Sequence, residues 1–266
     1  MRITSLIQVI EKIAPPAMME SWDKSGVQTA SARSEINHLA VMLEPSPANI
    51  AQAISLGADF LLAHHPLTLQ PRLPDRLDDY HAALSLLFKA DLPLYSAHTP
   101  LDCNPNGPAR WLARKFDLRG TEILEKTGRI ALSDLKGEQD YGLGFAGDLP
   151  EPLPYDEFCG RLALYAETSS WRGIGTKPAL VSRLACCPGS GSDLADLAQT
   201  RGAEVFISGD VRYHTALSFK LHVIDLGHFQ LEEIMMRECA AALARELPAL
   251  RTSFIPGRDP FTFERI

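Results

Sequence analysis

Imidazole side chains follow a short hydrophobic segment in the first quarter of this 266-residue chain. His64 and His65 come directly after the apolar segment 60–63. In extended backbone, consecutive side chains point to opposite sides, so a His-His pair cannot easily chelate one ion. Such a pair can supply one ligand to each of two neighbouring ions. His64 and His65 are therefore candidate ligands of a site for two metals.

Further residues of this kind lie later in the chain. His98 and Asp102 follow the apolar segment 94–97, and His228 and Glu232 lie four residues apart at the start of a predicted helix. Four residues make about one helical turn, so these two side chains lie on the same face. A mixed set of imidazole and carboxylate ligands suits Zn, Mn, Fe or similar ions, whereas an all-oxygen set suits Mg or Ca.

Each of these residues also has an ordinary structural explanation. Asp102 could cap the helix that follows it or form an Asx turn. His228 and Glu232 could be a capping pair, because an anion is favourable in the first turn of a helix. Glu233 competes with Glu232 for any role. The joint occurrence of such residues at successive strand ends favours the metal hypothesis.

Strands and helices alternate along the chain, and this order predicts how the side chains are positioned. Apolar strands are predicted at 39–43, 60–63, 94–97, 184–187, 205–208 and 222–225, mostly separated by single helices. Such an order indicates βαβ units and a largely parallel sheet. Between residues 121 and 170 the periodicity is weaker. Strands are predicted there at 129–132 and 141–147, with a helix near 155–165.

Two parts of the sequence repeat. Leu39-Ala40-Val41 recurs as Leu184-Ala185-Cys186, and at the same offset Gly57-Ala58-Asp59-Phe60 recurs as Gly202-Ala203-Glu204-Val205. Any two βαβ units resemble each other, but the shared offset favours a duplication. The fold class predicted is α/β, with two similar domains of mainly parallel strands.

The predicted halves carry different ligands. Residues 1–119 form the first α/β half, with the His-His-Pro and His-Thr-Pro-Leu-Asp segments, and residues 120–266 form the second, with the Gly-His-x3-Glu segment. Polar residues at strand carboxyl ends meet in the crevice beside such sheets. We therefore expect the metal site in a crevice between the two halves.

The composition narrows the classes of partner and compartment. A formal net charge of -7 disfavours non-specific binding to nucleic acid. No apolar run approaches the ~20 residues of a membrane helix, and the N-terminal segment has no signal-peptide pattern. The five cysteines form no CxxC, which predicts a reduced, cytoplasmic protein without thiolate-bound zinc.

Five spaced motifs together resemble the NIF-three-like family, whose members are often called GTP cyclohydrolase 1 type 2 homologs. The motifs occur in the family's order, and the chain resembles the short form without an inserted domain. They are Trp22-Asp23-Lys24-Ser25-Gly26-Val27-Gln28, Ala63-His64-His65-Pro66-Leu67, His98-Thr99-Pro100-Leu101-Asp102, Ser208-Gly209-Asp210 with Tyr213-His214, and Asp225-Leu226-Gly227-His228 through Glu232.

The resemblance implies a dinuclear metal protein of two interlinked α/β domains that assembles into a toroidal homohexamer. By that resemblance, His65 and Asp102 bind one ion, His64 and His228 bind the other, and Glu232 bridges both. The expected cofactors are two divalent ions, with Zn, Fe or Mn favoured. Two positions depart from the family pattern: Lys24 replaces the usual Asn and Leu231 the usual Thr.

The function expected from these features is that of a metal-dependent hydrolase that uses a metal-bridging water, acting on a nucleotide or phosphoester. His98 and His214 are the candidates for proton transfer, although His214 could equally be an ordinary helix residue. The sequence contains no GxxxxGK[ST] phosphate loop. The alternative is a non-catalytic metal-binding toroid or a protein-interaction factor.

Overall fold

The computed structural model describes residues 1–131 and 137–262 and contains two β-sheets. By its packing the chain divides into two compact units. The first unit combines residues 1–101 with the described residues from 235 onward, and the second comprises Asp102–Ile234.

The first unit is a five-stranded sheet with helices in the connections. Its elements are helix α1 Ile3–Ile13, strand β1 Gly26–Thr29, strand β2 His38–Met42, helix α2 Pro47–Ser55, strand β3 Phe60–Ala63, helix α3 Asp79–Lys89, strand β4 Leu94–Ser96 and strand β11 Arg251–Ile255. The strand order is β1-β4-β3-β2-β11, and only the pairing of β1 with β4 is antiparallel.

Local sequence signals explain where the helices of this unit begin. Ser46 precedes α2, and its hydroxyl accepts a hydrogen bond from the Asn49 amide, while Pro47 occupies the first helical position. Asp78 caps α3 in the same way by accepting from the His81 amide. Gly57 follows α2 with a φ of 77°, a left-handed conformation that favours glycine.

The register of the sheet brings three chain segments together at one edge. Ala63 at the end of β3 pairs with Met42 of β2 and Ser96 of β4. The ladder continues one residue further, because the Ala97 amide donates to the Ala63 carbonyl. The residues just after β2, β3 and β4 therefore lie side by side.

The second unit contains a six-stranded sheet. Its elements are helix α5 Trp111–Lys115, strand β5 Arg119–Ala131, strand β6 Glu138–Pro154, helix α6 Tyr155–Tyr165, strand β7 Arg172–Ile174, strand β8 Leu180–Cys186, helix α7 Ala195–Thr200, strand β9 Val205–Ser208, helix α8 Tyr213–Ala216 and strand β10 His222–Asp225. The chain passes between the units within helix α4, Thr99–Cys103, and within helix α9, His228–Glu246.

The two sheets share a common motif, which confirms the prediction of two similar α/β domains. In each, three consecutive strands run parallel and are joined by helices: β2, β3 and β4 in the first, and β8, β9 and β10 in the second. In each, an antiparallel strand pairs with the third member, β1 with β4 and β7 with β10. Of nine strand pairings in the described chain, five are parallel.

The second sheet differs from the first at the edge opposite β7. There β5 and β6, of 13 and 17 residues, form a long antiparallel pair, and β6 also pairs antiparallel with β8. The strand predicted at 141–147 lies inside β6. The strand predicted at 129–132 overlaps the end of β5, and its last residue, Leu132, lies outside the described residues.

The bounds of the compact units differ from the halves 1–119 and 120–266. The physical reason is β11, which pairs parallel with β2 and so joins the last described segment to the first sheet. The division into halves 1–119 and 120–266 stays a prediction. Within the described residues, no helix has both the length and the apolar character needed to cross a membrane.

Candidate metal centre

Three histidines of the first unit cluster at the carboxyl edge of its sheet. His64 and His65 directly follow β3, and His98 follows β4 by one residue beyond Ala97. The centroid of the His64 ring lies 5.1 Å from the centroid of the His65 ring and 5.1 Å from that of the His98 ring. One ring nitrogen from each of the three lies within 4.8 Å of the others, so this group could bind a metal ion.

Hydrogen bonds fix the rings of the His64 and His65 pair. Nδ1 of His64 lies 2.8 Å from the Ala97 carbonyl, and Nδ1 of His65 lies 2.7 Å from a Glu44 carboxylate oxygen. A carbonyl or an ionised carboxylate only accepts, so Nδ1 carries the hydrogen and Nε2 of the neutral ring carries the lone pair. This arrangement is typical of histidines that bind metal through Nε2.

Asp23 holds His98 in the same way. Its carboxylate lies 2.8 Å from Nδ1 of His98, and it also accepts from the Ser25 hydroxyl at 2.7 Å and the Thr99 hydroxyl at 2.5 Å. Burial by itself would raise the pKa of Asp23, but the hydrogen bonds from His98, Thr99 and Ser25 hold it well below its usual value. Asp23 is therefore a buried anion that orients the His98 ring.

We expect Asp23→Asn to lower the free energy of unfolding at pH 7 by about 2–3 kcal/mol, because an amide cannot accept all of these hydrogen bonds. A depressed native pKa gives stability that is complete above the unfolded value of ~3.9 and lost as the pH falls through the native pKa. Urea denaturation should therefore show a difference in the free energy of unfolding between wild type and variant that is constant above about pH 5 and shrinks below about pH 4.

The control for this experiment is Asp91→Asn, which changes an exposed carboxylate of the same unit that accepts from the Ala32 amide. It should lower stability much less than Asp23→Asn does. Equal losses for the two variants, or a gap that grows on acidification, would contradict the role given to Asp23.

In the second unit, His228 and Glu232 form a pair on the first turn of α9. Nε2 of His228 lies 2.8 Å from Oε2 of Glu232, and Nδ1 lies 2.7 Å from Oδ2 of Asp210. Burial disfavours a charged ring, but the hydrogen bonds and charges of Glu232 and Asp210 raise the pKa of His228 to about 9. A cation, either a proton or a metal ion, is thus favoured between His228 and Glu232.

Glycine makes room for the Glu232 carboxylate, which is 4% exposed. Gly189 follows strand β8 and has a φ of 69°. A Cβ placed there would collide with Oε1 of Glu232 and lie 3.4 Å from Nε2 of His228. The backbone therefore approaches the carboxylate at a distance that only glycine allows.

Asp102 lies in α4, and its charge acts on the same buried thiol, that of Cys187, as the charge of Glu232 does. Burial raises the pKa of the Cys187 thiol, and the charges of Cys186, Asp102 and Glu232 raise it further. Asp102 and Glu232 therefore both act on the buried thiol of Cys187. Both cysteines are buried in the core of the second unit.

His214 has a different environment from the other predicted site residues. It is exposed on the short helix α8, where its ring packs edge-on against Tyr213 at 5.3 Å. Within the described part of the chain, no hydrogen bond or ion pair joins His214 to His228 or Glu232. A role for His214 in proton transfer stays a prediction.

The residues that orient the histidines were not singled out for this role by the sequence reasoning. Glu44 follows β2 and Asp210 follows β9, so the signal used for His64, a polar residue just after a strand, also marks both of them. Asp23 has no such strand-end signal, because it lies in a loop before β1, and the sequence marks it only as a member of the Trp22–Gln28 motif. Gly189 also could not be recognised, since its partner Glu232 is 43 residues away in the sequence.

The donor atoms fit a divalent transition metal. The first unit offers imidazole nitrogens with Nδ1 hydrogen-bonded, and the second offers a buried carboxylate beside an imidazole of the same kind. Borderline ions such as Zn and Fe prefer this mixture of nitrogen and carboxylate ligands. Buried His and Glu groups of this chain could therefore bind metal.

Comparison with known proteins gives matches along nearly the whole chain. The family model described as Duf34/NIF3 (NGG1p interacting factor 3) matches residues 1–260, which confirms the resemblance inferred from the five motifs. A GTP cyclohydrolase 1 type 2 homolog of Streptomyces coelicolor is 29% identical over 238 residues, covering 87% of this chain and 81% of the relative. One of Clostridium perfringens is 26% identical, covering 99% and 100%.

The fold also matches solved structures. The structure of a Bacillus cereus protein related to NIF3 superposes with a TM-score of 0.86 at 20% sequence identity, and the match covers 99% of both chains. At this identity the likeness establishes the fold.

Proposed function

The chain belongs to the Duf34/NIF3 family, and we propose that it binds two divalent metal ions and uses them to hydrolyse a small molecule. The proposed ligands are His64, His65, Asp102, His228 and Glu232. One observation carries the proposal: His64, His65 and His228 each hydrogen-bond an acceptor through Nδ1, which directs Nε2 to a metal.

The proposed assignment gives each ion its own ligands. His65 and Asp102 would hold one ion, His64 and His228 would hold the other, and Glu232 would serve both. A bridging role suits Glu232 because it is a buried carboxylate with two acceptor oxygens. Zn, Fe or Mn are favoured by the mixture of imidazole and carboxylate.

When bound at these residues, two divalent ions would supply an acidified water and positive charge beside the oxygens of the hydrolysed group. His98 is the proposed proton-transfer residue. Because its Nδ1 hydrogen is held by Asp23, the atom that would accept or donate a proton toward a substrate is Nε2. The His98 side chain is 14% exposed, so it remains accessible to a small molecule.

The substrate proposed is a nucleotide or a phosphoester. Relatives that cover most of this chain carry the name GTP cyclohydrolase 1 type 2 homolog, which favours a nucleotide. Lys24, exposed beside the Asp23 that holds His98, places a positive charge where an anionic substrate would be attracted.

The test is metal content combined with a substrate screen. Purified protein incubated with Zn or Mn should hold about two ions per chain, and His64→Ala with His228→Ala should remove about one. His222→Ala is a matched control, because His222 is a buried histidine with a Tyr155 partner and no assigned role. Wild-type protein that stays metal-free would refute the proposal.

The substrate screen distinguishes a catalytic metal site from a non-catalytic metal-binding scaffold. Protein that holds its ions but turns over no nucleotide, phosphoester or cyclic amide, and whose ions do not exchange with solvent metal, would favour a non-catalytic metal-binding scaffold. A catalytic site keeps coordination positions open to water, whereas a structural one is closed. Five protein ligands for two ions leave several such positions.

We also propose that the chain assembles into a homohexamer, on the basis of the family resemblance. Light scattering at micromolar concentration should give a mass six times the 29.2 kDa of the chain. A monomeric mass at that concentration would refute the hexamer without affecting the metal proposal.

A further inference from the structure

The second unit contains a cavity of about 350 Å³ that includes none of the proposed metal ligands among its described lining residues. Its wall combines apolar and polar groups. These include Ala113, Ile123 and Phe145 on the apolar side, and Asn106, Arg110 and Thr121 on the polar side. A volume near the lower end of known ligand sites suits a small molecule.

Arg110 is the unusual residue of this wall. It is only 6% exposed, yet within the described part of the chain it forms an ion pair with no carboxylate. Among the described residues its one hydrogen bond runs from Nη2 to the Gly142 carbonyl at 3.3 Å, and its guanidinium lies 5.1 Å from the centroid of the Phe145 ring. A guanidinium has five N–H donors, so most of its hydrogen-bonding capacity is unused.

No carboxylate of the described residues forms an ion pair with Arg110, although the charge of Asp102 raises its pKa in part. The Glu122 carboxylate pairs with Arg183 and Arg201. Asp117 is exposed to solvent, where its charge is screened. Burial lowers the pKa of Arg110 to about 10, which leaves it protonated at neutral pH. A buried cation without an ion-pair partner is costly, and an oxyanion that pairs with it would lower that cost.

We propose that this cavity binds a small organic oxyanion, with its carboxylate or phosphate paired to Arg110 and its apolar body against Phe145 and Ile123. Arginine suits this role because its planar fork of donors matches two oxygens of a carboxylate or phosphate at once. The site is separate from the proposed hydrolytic centre in its residues. It provides the chain with a second ligand.

The test is calorimetric titration of the full chain with benzoate, phenyl phosphate, inorganic phosphate and benzyl alcohol. Metal is first removed with EDTA, because a bound divalent ion would itself bind oxyanions. At least one of benzoate and phenyl phosphate should bind saturably, at least about tenfold more tightly than benzyl alcohol. The tighter of the two identifies the oxyanion, and inorganic phosphate should bind more weakly because it lacks the apolar body.

Two variants locate the binding. Arg110→Lys keeps the charge but loses the bidentate fork, and should weaken binding at least about tenfold. Thr121→Phe changes an exposed residue of the cavity wall and should block entry while the fold, followed by circular dichroism, is unchanged. The matched control Arg129→Lys, at an exposed position on β5, should bind as wild type does.

The proposal is overturned if no oxyanion binds saturably, or if benzyl alcohol binds as tightly as benzoate and phenyl phosphate. It is also overturned if folded Arg110→Lys and Thr121→Phe both bind as wild type does. None of these outcomes depends on metal content or hydrolytic activity, so a failure here is distinct from a failure of the proposed function.

Discussion

Glu232→Gln should strip the protein of its metal, lowering affinity for the ions by more than the ~10–100-fold that loss of a supporting residue costs. The substitution keeps the size of a side chain that is 4% exposed, so packing should survive. It removes the negative charge that lies 2.8 Å from His228 and that would offset the charges of two divalent ions. An amide has one acceptor oxygen where the carboxylate has two, so a bridge is lost.

The matched control is Glu233→Gln, which makes the same change one residue further along α9. Metal analysis and competition with a chelator should show near-normal binding for this variant. If Glu232→Gln keeps both ions and Glu233→Gln loses them, the bridging assignment moves to Glu233. If neither variant changes metal content, the carboxylate part of the proposed site is wrong.

His98→Ala provides a second comparison, because it affects proton transfer and not the proposed ligands. This variant should retain its ions and lower turnover of any substrate found by about 10²–10⁴-fold, the usual contribution of a general acid or base. Metal loss in His98→Ala that equals the loss in Glu232→Gln would instead make His98 a ligand, as its position beside His64 allows.

Gly189→Ala should have the next largest effect, because the added methyl group occupies the space of the Glu232 carboxylate. Two costs add. The φ of 69° is strained for any residue with a Cβ, at about 1–2 kcal/mol. The collision with Oε1 then displaces Glu232 or the loop that holds Gly189. We expect a lower free energy of unfolding together with loss of metal.

Gly202→Ala separates these two costs. Gly202 lies in the same unit with a nearly identical φ of 76°, but a Cβ there would meet nothing closer than a side-chain carbon of Arg183 at 3.8 Å. This variant should therefore lose about 1–2 kcal/mol of stability from backbone strain alone and keep its metal. Metal contents that are equal in Gly189→Ala and Gly202→Ala would show that contact with Glu232 does not shape the site.

The sequence by itself determined the repeated α/β plan and the residues that stand at strand ends. The strands at 60–63, 205–208 and 222–225 have the predicted bounds. The first two are short apolar runs bounded by polar residues or glycine, which leave little freedom in placement. Once β3 and its neighbour β4 are placed, the positions of His64, His65 and His98 at one edge follow from the parallel βαβ arrangement.

Only the tertiary structure decided which groups touch these residues. Glu44 lies 21 residues from its partner His65, and Asp23 lies 75 residues from His98. No local period connects positions so far apart. Their contact depends on the pairing of β2 with β3 and of β1 with β4, and a register shift of one residue would turn each side chain to the other face.

The same reason explains the features that the sequence did not predict. The sequence predicts strands at 129–132 and 141–147 but not the 13- and 17-residue lengths of β5 and β6, because their alternating pattern is weak and is interrupted by Gly128, Gly142 and Gly144. The burial of Arg110 depends on the Phe145 ring of β6. Residue type and spacing indicate what chemistry a side chain can do, whereas its burial, charge and partners depend on segments that only the folded chain brings together.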